Sequence, residues 1–120
     1  MLTKKQFEEI TKMQVCMQNK FQSVSKKGLT TDYLGKKFIV YKNVFCPFKD
    51  SEPLIENFKI DSKESVLDVC TGSGVIAIFA AYKGAKKVIA CDINPNAIKC
   101  AKKNVKIHGF SNTIEVRQSD

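Results

Sequence analysis

The amino-acid sequence predicts an α/β protein built around a parallel β-sheet. Three short runs rich in apolar and β-branched residues, at 65–70, 87–91 and 114–118, are typical of strands. Two helix-like stretches, 74–83 and 95–108, separate these runs, and a glycine follows each stretch. Strands that alternate with helices through such short connections form parallel sheets with right-handed crossovers.

Two further elements are predicted before this sheet. From residue 4 to residue 27, apolar side chains recur every three or four positions, which predicts an amphipathic helix capped by Thr3 and ended by Gly28. We expect its apolar stripe to cover the chain's own domain rather than to dock a partner. The strand-like run 37–41, preceded by a Gly-Lys turn, predicts a β-hairpin within 29–46.

These elements divide the chain into an N-terminal helix and hairpin extension, residues 1–43, and a main domain, residues 44–120. A short helix leads into the first strand of that domain. It is capped by Asp50 or Ser51 and ends near Phe58.

Composition narrows the class of protein. The chain has 120 residues and a net charge of +8, and 19 of its 20 cationic residues are lysines. Lysine lacks the bidentate fork of arginine, so we prefer a solvated basic surface to specific nucleic-acid recognition. No apolar run approaches the ~20 residues of a membrane helix, and no secretory signal precedes the domain. We therefore expect a cytoplasmic protein.

The five cysteines are expected to be free thiols. Their number is odd, and their spacing matches neither a metal site nor a redox motif, so no metal is predicted. Cys70 and Cys91 fall in predicted strands, and the first of these strands, 65–70, reads as buried.

The turn that follows the first strand carries the chemistry. In the run Asp68-Val69-Cys70-Thr71-Gly72-Ser73-Gly74, two glycines let the backbone approach a ligand, and the next helix presents free N–H groups. Asp92, at the end of the second strand, can accept hydrogen bonds from both hydroxyls of a ribose. The combination indicates a bound nucleoside. A dinucleotide fits the glycines as well, but the Asp68 carboxylate would repel a pyrophosphate and suits an ammonium group.

The same residues resemble a known family. The segment 66–78 resembles motif I of class I methyltransferases, especially the HemK/PrmC-like group. The segment 92–98, followed by Ala101 and Asn104, is similar to that group's second motif. Ser119-Asp120 is similar to the pair after its third strand, and 44–52 to the segment before its domain. The resemblance implies part of a Rossmann-like sheet, its strands one to three, and S-adenosylmethionine as the cofactor.

The resemblance also implies roles for single residues. Asp68 and the turn Cys70-Thr71-Gly72-Ser73-Gly74 would hold the methionine end of the cofactor. Asp92 would bind the ribose, Ile93 would lie against the adenine, and Asp120 would bind the adenine amine. Three residues would border the methionine end: Pro47, Asp50 and Ser51. Two positions depart from the family pattern, since Cys70 replaces a glycine and Phe48 replaces an arginine of one branch.

The implied activity is N-methylation of a protein glutamine or of an RNA base. The family's Asn-Pro-Pro motif, which follows strand four, does not occur, so we predict no catalytic residue and expect the isolated chain to be inactive. Alternatives are a non-catalytic module that binds the cofactor or a partner, and a fragment of an NAD-dependent oxidoreductase. With only strands one to three, strand one is expected at a sheet edge, which favours self-association unless the hairpin segment 37–46 covers it.

Overall fold

The structure, a computed structural model, describes residues 3–12, 28–44 and 51–119. Its described elements confirm the predicted order of helices and strands. Residues 4–12 are helical (α1). The other elements are β1 (Leu29–Tyr33), β2 (Lys36–Val40), α2 (Glu52–Asn57), β3 (Ser65–Val69), α3 (Val75–Tyr82), β4 (Lys87–Asp92), α4 (Pro95–Ile107) and β5 (Ile114–Gln118). Within the described ranges, no helix has the length and apolar character needed to cross a membrane.

A three-stranded parallel sheet forms the centre of the fold. Its strand order is β3-β4-β5, so the chain moves by one strand at each crossover. α3 and α4 contact the sheet and each other, and they cover one of its faces. Val88, Ala90 and Ile114 point toward these helices and are buried, as is Ile78 on α3. The resulting α/β architecture is the predicted one.

The prediction that the first strand is buried was wrong. β3 alternates between exposed and half-buried residues, and the side chains of Leu67 and Val69 are 64% and 60% exposed. Alternate side chains of a strand point to opposite faces, and in the described part of the chain helices cover only the face shared by Val66 and Asp68. β3 also lies at the edge of the sheet, as expected. Self-association through this edge stays a prediction.

The predicted hairpin is present, but it does not pair with the edge of β3. β1 and β2 form a separate antiparallel sheet, joined at Leu34 and Gly35. The predicted Gly-Lys turn was one residue too late, since Lys36 already pairs with Tyr33 as the first residue of β2. Both turn residues have positive φ, 48° and 78°, as the type I′ turn of a two-residue hairpin requires. The hairpin packs on the helical layer, where Phe38 is fully buried and lies 4.7 Å from the ring of His108.

The N-terminal helix begins with the predicted cap. The N–H of Gln6 donates to Thr3 Oγ1 over 3.1 Å, and the N–H of Thr3 donates to Gln6 Oε1 over 2.9 Å, which forms a capping box. The expected burial of the apolar stripe fails at its first member, since Phe7 is 63% exposed; Ile10 is half-buried. The rest of the stripe and the predicted helix end lie outside the described residues.

Candidate functional site

The turn between β3 and α3 contains three residues with a left-handed backbone. Cys70, Gly72 and Gly74 all have positive φ, at 59°, 57° and 85°. The N–H of Thr71 donates to the carbonyl oxygen of Cys91 over 3.0 Å, so the turn is anchored to the neighbouring strand. A Cβ at Gly74 would lie 3.2 Å from the Cβ of Ala101, so this glycine also permits close packing of α3 against α4.

Asp92 is joined to the turn by a hydrogen bond. Its Oδ2 accepts the N–H of Gly72 over 3.0 Å, and its Oδ1 accepts the N–H of Asn94 over 3.0 Å. Its carbonyl oxygen accepts the N–H of Ser119 over 3.0 Å. Each carboxylate oxygen has two acceptor positions, so each keeps one for a ligand. The carboxylate is therefore fixed in place and still able to bind two hydroxyl groups.

Asp68 lies close to the start of α3. Its carboxylate accepts a hydrogen bond from Thr71 Oγ1 over 2.7 Å and another from the backbone N–H of Ala77. Burial raises the pKa of the Asp68 carboxyl. The two hydrogen bonds oppose that effect, and the nearby charge of Asp92 adds to it. Two carboxylates thus flank the turn and make this end of the sheet negative.

Cys70 does not lie in the strand, contrary to the prediction. β3 ends at Val69, and Cys70 follows it as an exposed residue with a left-handed backbone. A residue with a Cβ costs about 1–2 kcal/mol in that conformation relative to the right-handed one. The replacement of a glycine by Cys70 therefore places strain in the turn. Cys91 and Cys100 are also free, and Cys16 and Cys46 lie outside the described residues.

Asn104 is a positioning residue to which sequence reasoning gave no role. It is fully buried in α4. Its Oδ1 accepts the N–H of Ile39 over 2.7 Å, and its Nδ2 donates to the carbonyl oxygens of Ile39 and Ser73, each over 2.8 Å. One side chain therefore connects the hairpin, α4 and the turn. The available signal was a polar residue on the apolar face of an amphipathic helix.

The structure brings together most of the predicted site residues that it describes. Asp68, Thr71, Gly72 and Asp92 are joined by hydrogen bonds. Cys70 and Gly74 belong to the same turn, and Ser73 is buried in it. Ile93 follows Asp92 and is 64% exposed, and Ser51 is the N-cap residue of α2. Pro47, Asp50 and Asp120 lie outside the described residues, as does Phe48. Within the described ranges no group of side chains could hold a metal ion.

Comparisons with known proteins agree with this geometry. The model of the ribosomal protein L11 methyltransferase (PrmA) family matches residues 53–120. A protein of Methanocaldococcus jannaschii named as a protein N5-glutamine methyltransferase is 40% identical over 77 residues, which cover 64% of this chain and 39% of that protein. The release factor glutamine methyltransferase of Borreliella burgdorferi is 33% identical over 93 residues, covering 74% of this chain and 32% of the relative.

A solved methyltransferase structure is also similar to this chain. An RNA methyltransferase from Salinibacter ruber, crystallised with S-adenosyl-L-homocysteine, superposes with a TM-score of 0.55 and 32% identity. The match covers 62% of this chain and 49% of that protein. The chain thus spans only about a third of the length of the curated relatives, and half of this structural neighbour. Because the family match extends over more than half of its residues, the chain belongs to the L11 methyltransferase family of class I S-adenosylmethionine-dependent methyltransferases.

Proposed function

We propose that the chain binds S-adenosylmethionine at the turn between β3 and α3 and that its protein transfers the methyl group to a nitrogen of a protein glutamine or an RNA base. The observation that carries this proposal is the hydrogen bond from the Gly72 N–H to the Asp92 carboxylate. This bond holds the Asp92 carboxylate, which would accept the ribose hydroxyls, beside the turn, so little reorganisation is needed when the cofactor binds.

The residues of the turn fit the chemistry of this cofactor. Asp92 has two free acceptor positions at its fixed carboxylate, which match the two hydroxyls of a ribose. Ile93 offers an exposed apolar side chain beside it for an adenine ring. Gly72 has no side chain, so it adopts the left-handed backbone of the turn without strain and leaves room for the methionine end to approach.

Charge favours this cofactor over a dinucleotide. S-adenosylmethionine carries a positive sulfonium, a positive ammonium and one carboxylate, so it is a net cation, whereas a pyrophosphate is negative. The Asp68 and Asp92 carboxylates are close enough for each to raise the energy of the other's charge. A cation relieves that repulsion and a pyrophosphate increases it.

The bound cofactor supplies a methyl group activated by the sulfonium. The described residues then contribute position: the turn and the two carboxylates orient the cofactor, and orientation is a large part of catalysis in a displacement reaction. The nitrogen acceptor is proposed because the relatives are named as glutamine, L11 and RNA methyltransferases. We assign the described residues of the turn to the cofactor and none of them to the methyl acceptor.

Isothermal titration calorimetry tests the proposal. The chain is titrated with S-adenosylmethionine, S-adenosylhomocysteine and NAD under the same conditions. We expect both adenosyl compounds to bind and NAD to show no heat of binding. Binding of NAD in preference to both would contradict the proposal and support the oxidoreductase alternative. Transfer of a labelled methyl group to protein or RNA in a cell extract, by the protein that carries this domain, tests the acceptor class.

A further inference from the structure

A basic cleft lies at the end of the sheet opposite the turn between β3 and α3 (the cofactor turn). It has a volume of about 730 Å³ and lies where β4 and β5 begin, beside the second half of α4. The cofactor turn follows the carboxyl end of β3, beside the end of β4 at Asp92. Five residues of β4 separate Lys87 from Asp92, which corresponds to about 16 Å. The cleft is therefore a separate site.

Four exposed lysines surround this cleft. Lys86 and Lys87 stand at the start of β4, and Lys102 and Lys106 stand one turn apart on α4. Among the described residues of the lining, Glu115 is the one acidic residue. Arg117 donates to both of its oxygens over 2.6 and 3.0 Å, and this contact, with a smaller contribution from the charge of Lys87, lowers the pKa of Glu115. In the described part of the chain no carboxylate lies within ion-pair distance of the four lysines. Their charge is available to a ligand.

The remaining lining indicates the chemistry of that ligand. Ser111, Asn112 and Thr113 supply hydroxyl and amide groups, and none of the described residues that line the cleft is aromatic. Lysines with small polar residues are the usual contacts to phosphate and sugar, whereas bases are bound by stacking on aromatic rings. Lysine is depleted in protein–protein interfaces, which depend on aromatic and arginine anchors. The cleft thus favours a nucleic-acid backbone over an acidic protein.

We propose that this cleft binds the phosphate backbone of RNA without sequence preference. Lysine side chains recognise phosphates as point charges, so binding depends on charge number and releases counterions. The site would hold an RNA near the domain while the cofactor turn stays free. This proposal does not depend on which molecule accepts the methyl group, because it concerns the binding of RNA to the chain without its cofactor.

The test is fluorescence anisotropy with a short, mixed-sequence single-stranded RNA at several salt concentrations. Four phosphate contacts predict a slope of log K against log salt of about −2.8. The double variant K102Q/K106Q should halve this slope, to about −1.4. If the parent chain and the variant bind equally at about 1 M salt, this difference in slope makes the variant bind about 25-fold more weakly than the parent at about 0.1 M salt. Since both lysines are exposed, we expect the variant to keep its melting temperature.

A matched control removes the same charge elsewhere. K4Q/K5Q, in the exposed first turn of α1, should leave the slope and the affinity nearly unchanged. Equal weakening by both double variants would mean a diffuse charge effect and would overturn the proposal, as would the absence of binding at low salt. Competition by polyglutamate as strong as that by unlabelled RNA of equal charge would assign the cleft to acidic proteins instead. Binding of S-adenosylmethionine is measured in a separate titration. A failure of the RNA-binding proposal can therefore be distinguished from a failure of the cofactor-binding proposal.

Discussion

The backbone N–H of Gly72 donates to Oδ2 of Asp92 over 3.0 Å, although twenty residues separate the two along the chain. The bond joins the turn after β3 to the carboxylate at the end of β4. Parallel pairing places Val69 opposite Cys91, so the two strand ends meet at one edge of the sheet. The proposed hydrogen-bond acceptor for the ribose, the Asp92 carboxylate, is consequently held in place by the turn.

Removal of the Asp92 carboxylate should weaken cofactor binding. In D92A both oxygens that face the ribose are lost, and each charge-assisted hydrogen bond is worth about 1.5–3 kcal/mol. Calorimetric titration with S-adenosylmethionine measures the loss. D32N removes the charge of an exposed aspartate in the hairpin and serves as the control, with native affinity expected. If D92A binds as tightly as the parent chain, the ribose assignment is wrong.

A side chain at Gly72 should abolish binding more than it harms folding. Gly72 has φ of 57°, where valine is strained by about 1–3 kcal/mol, and its Cβ would enter the surface that the cofactor approaches. G35V is the matched control, because Gly35 has φ of 78° and no atom within 4 Å of an added Cβ. Both variants should melt at lower temperature, and only G72V should lose binding. Native affinity for S-adenosylmethionine in a folded G72V would show that the cofactor does not contact this turn.

The raised pKa of Asp68 should make stability depend on acid pH. The folded carboxyl, desolvated by burial, holds its proton more tightly than the unfolded one. More protons are therefore bound in the folded state at pH values between the ordinary pKa of ~3.9 and the raised value, and the free energy of unfolding falls as pH rises through this window. Urea unfolding at a series of pH values measures this slope.

D68N removes the titrating group, so it should flatten that slope. Affinity for S-adenosylmethionine should change in the opposite direction and rise with pH through the same window, because the ionised carboxylate attracts the ammonium. An affinity that stays constant through the window would argue against contact between Asp68 and the cofactor.

Replacement of Asn104 should loosen the hairpin from the turn. N104L keeps the volume roughly but leaves the N–H of Ile39 and the carbonyl of Ser73 without their partner, while the carbonyl of Ile39 keeps only the Cys100 thiol as a donor. Unsatisfied buried groups cost about 1–3 kcal/mol each, so a clear fall in melting temperature is expected. Hydrogen exchange should accelerate first at the amide of Ile39. N112L, at an exposed asparagine, should change neither quantity. Unchanged protection of Ile39 in N104L would disprove the connecting role.

The cysteines should differ in reactivity in the folded chain. Cys70 is exposed, whereas Cys100 is fully buried, and burial raises the pKa of its thiol to about 11. Since the thiolate is the reactive form, iodoacetamide should modify Cys70 well before Cys100. Peptide mass spectrometry over time measures the order. After denaturation without reductant, all five thiols should be modified; a disulfide in cytosolic material would contradict the prediction of free cysteines.

The sequence by itself determined the order of elements, because each depends on local signals. Pro95 and Gly109 bracket α4, Thr3 caps α1, and β5 has the predicted bounds, since propensity and capping act within one turn or one strand. The turn and its two acids were also visible, because strand ends of a parallel sheet meet at one edge. Family resemblance supplied their roles.

Only the tertiary structure decided which faces are covered and what lies beside what. An apolar strand such as β3 reads as buried, but its exposure depends on the helices that pack over each face, which no local pattern encodes. Asn104 reaches Ile39 across 65 residues and Ser73 across 31. Lys86 and Lys87 border the same cleft as Lys106 only after β4 and α4 pack together. Periodicity describes neighbours along the chain, whereas burial, buried hydrogen bonds and clustered charge arise from contacts between distant segments.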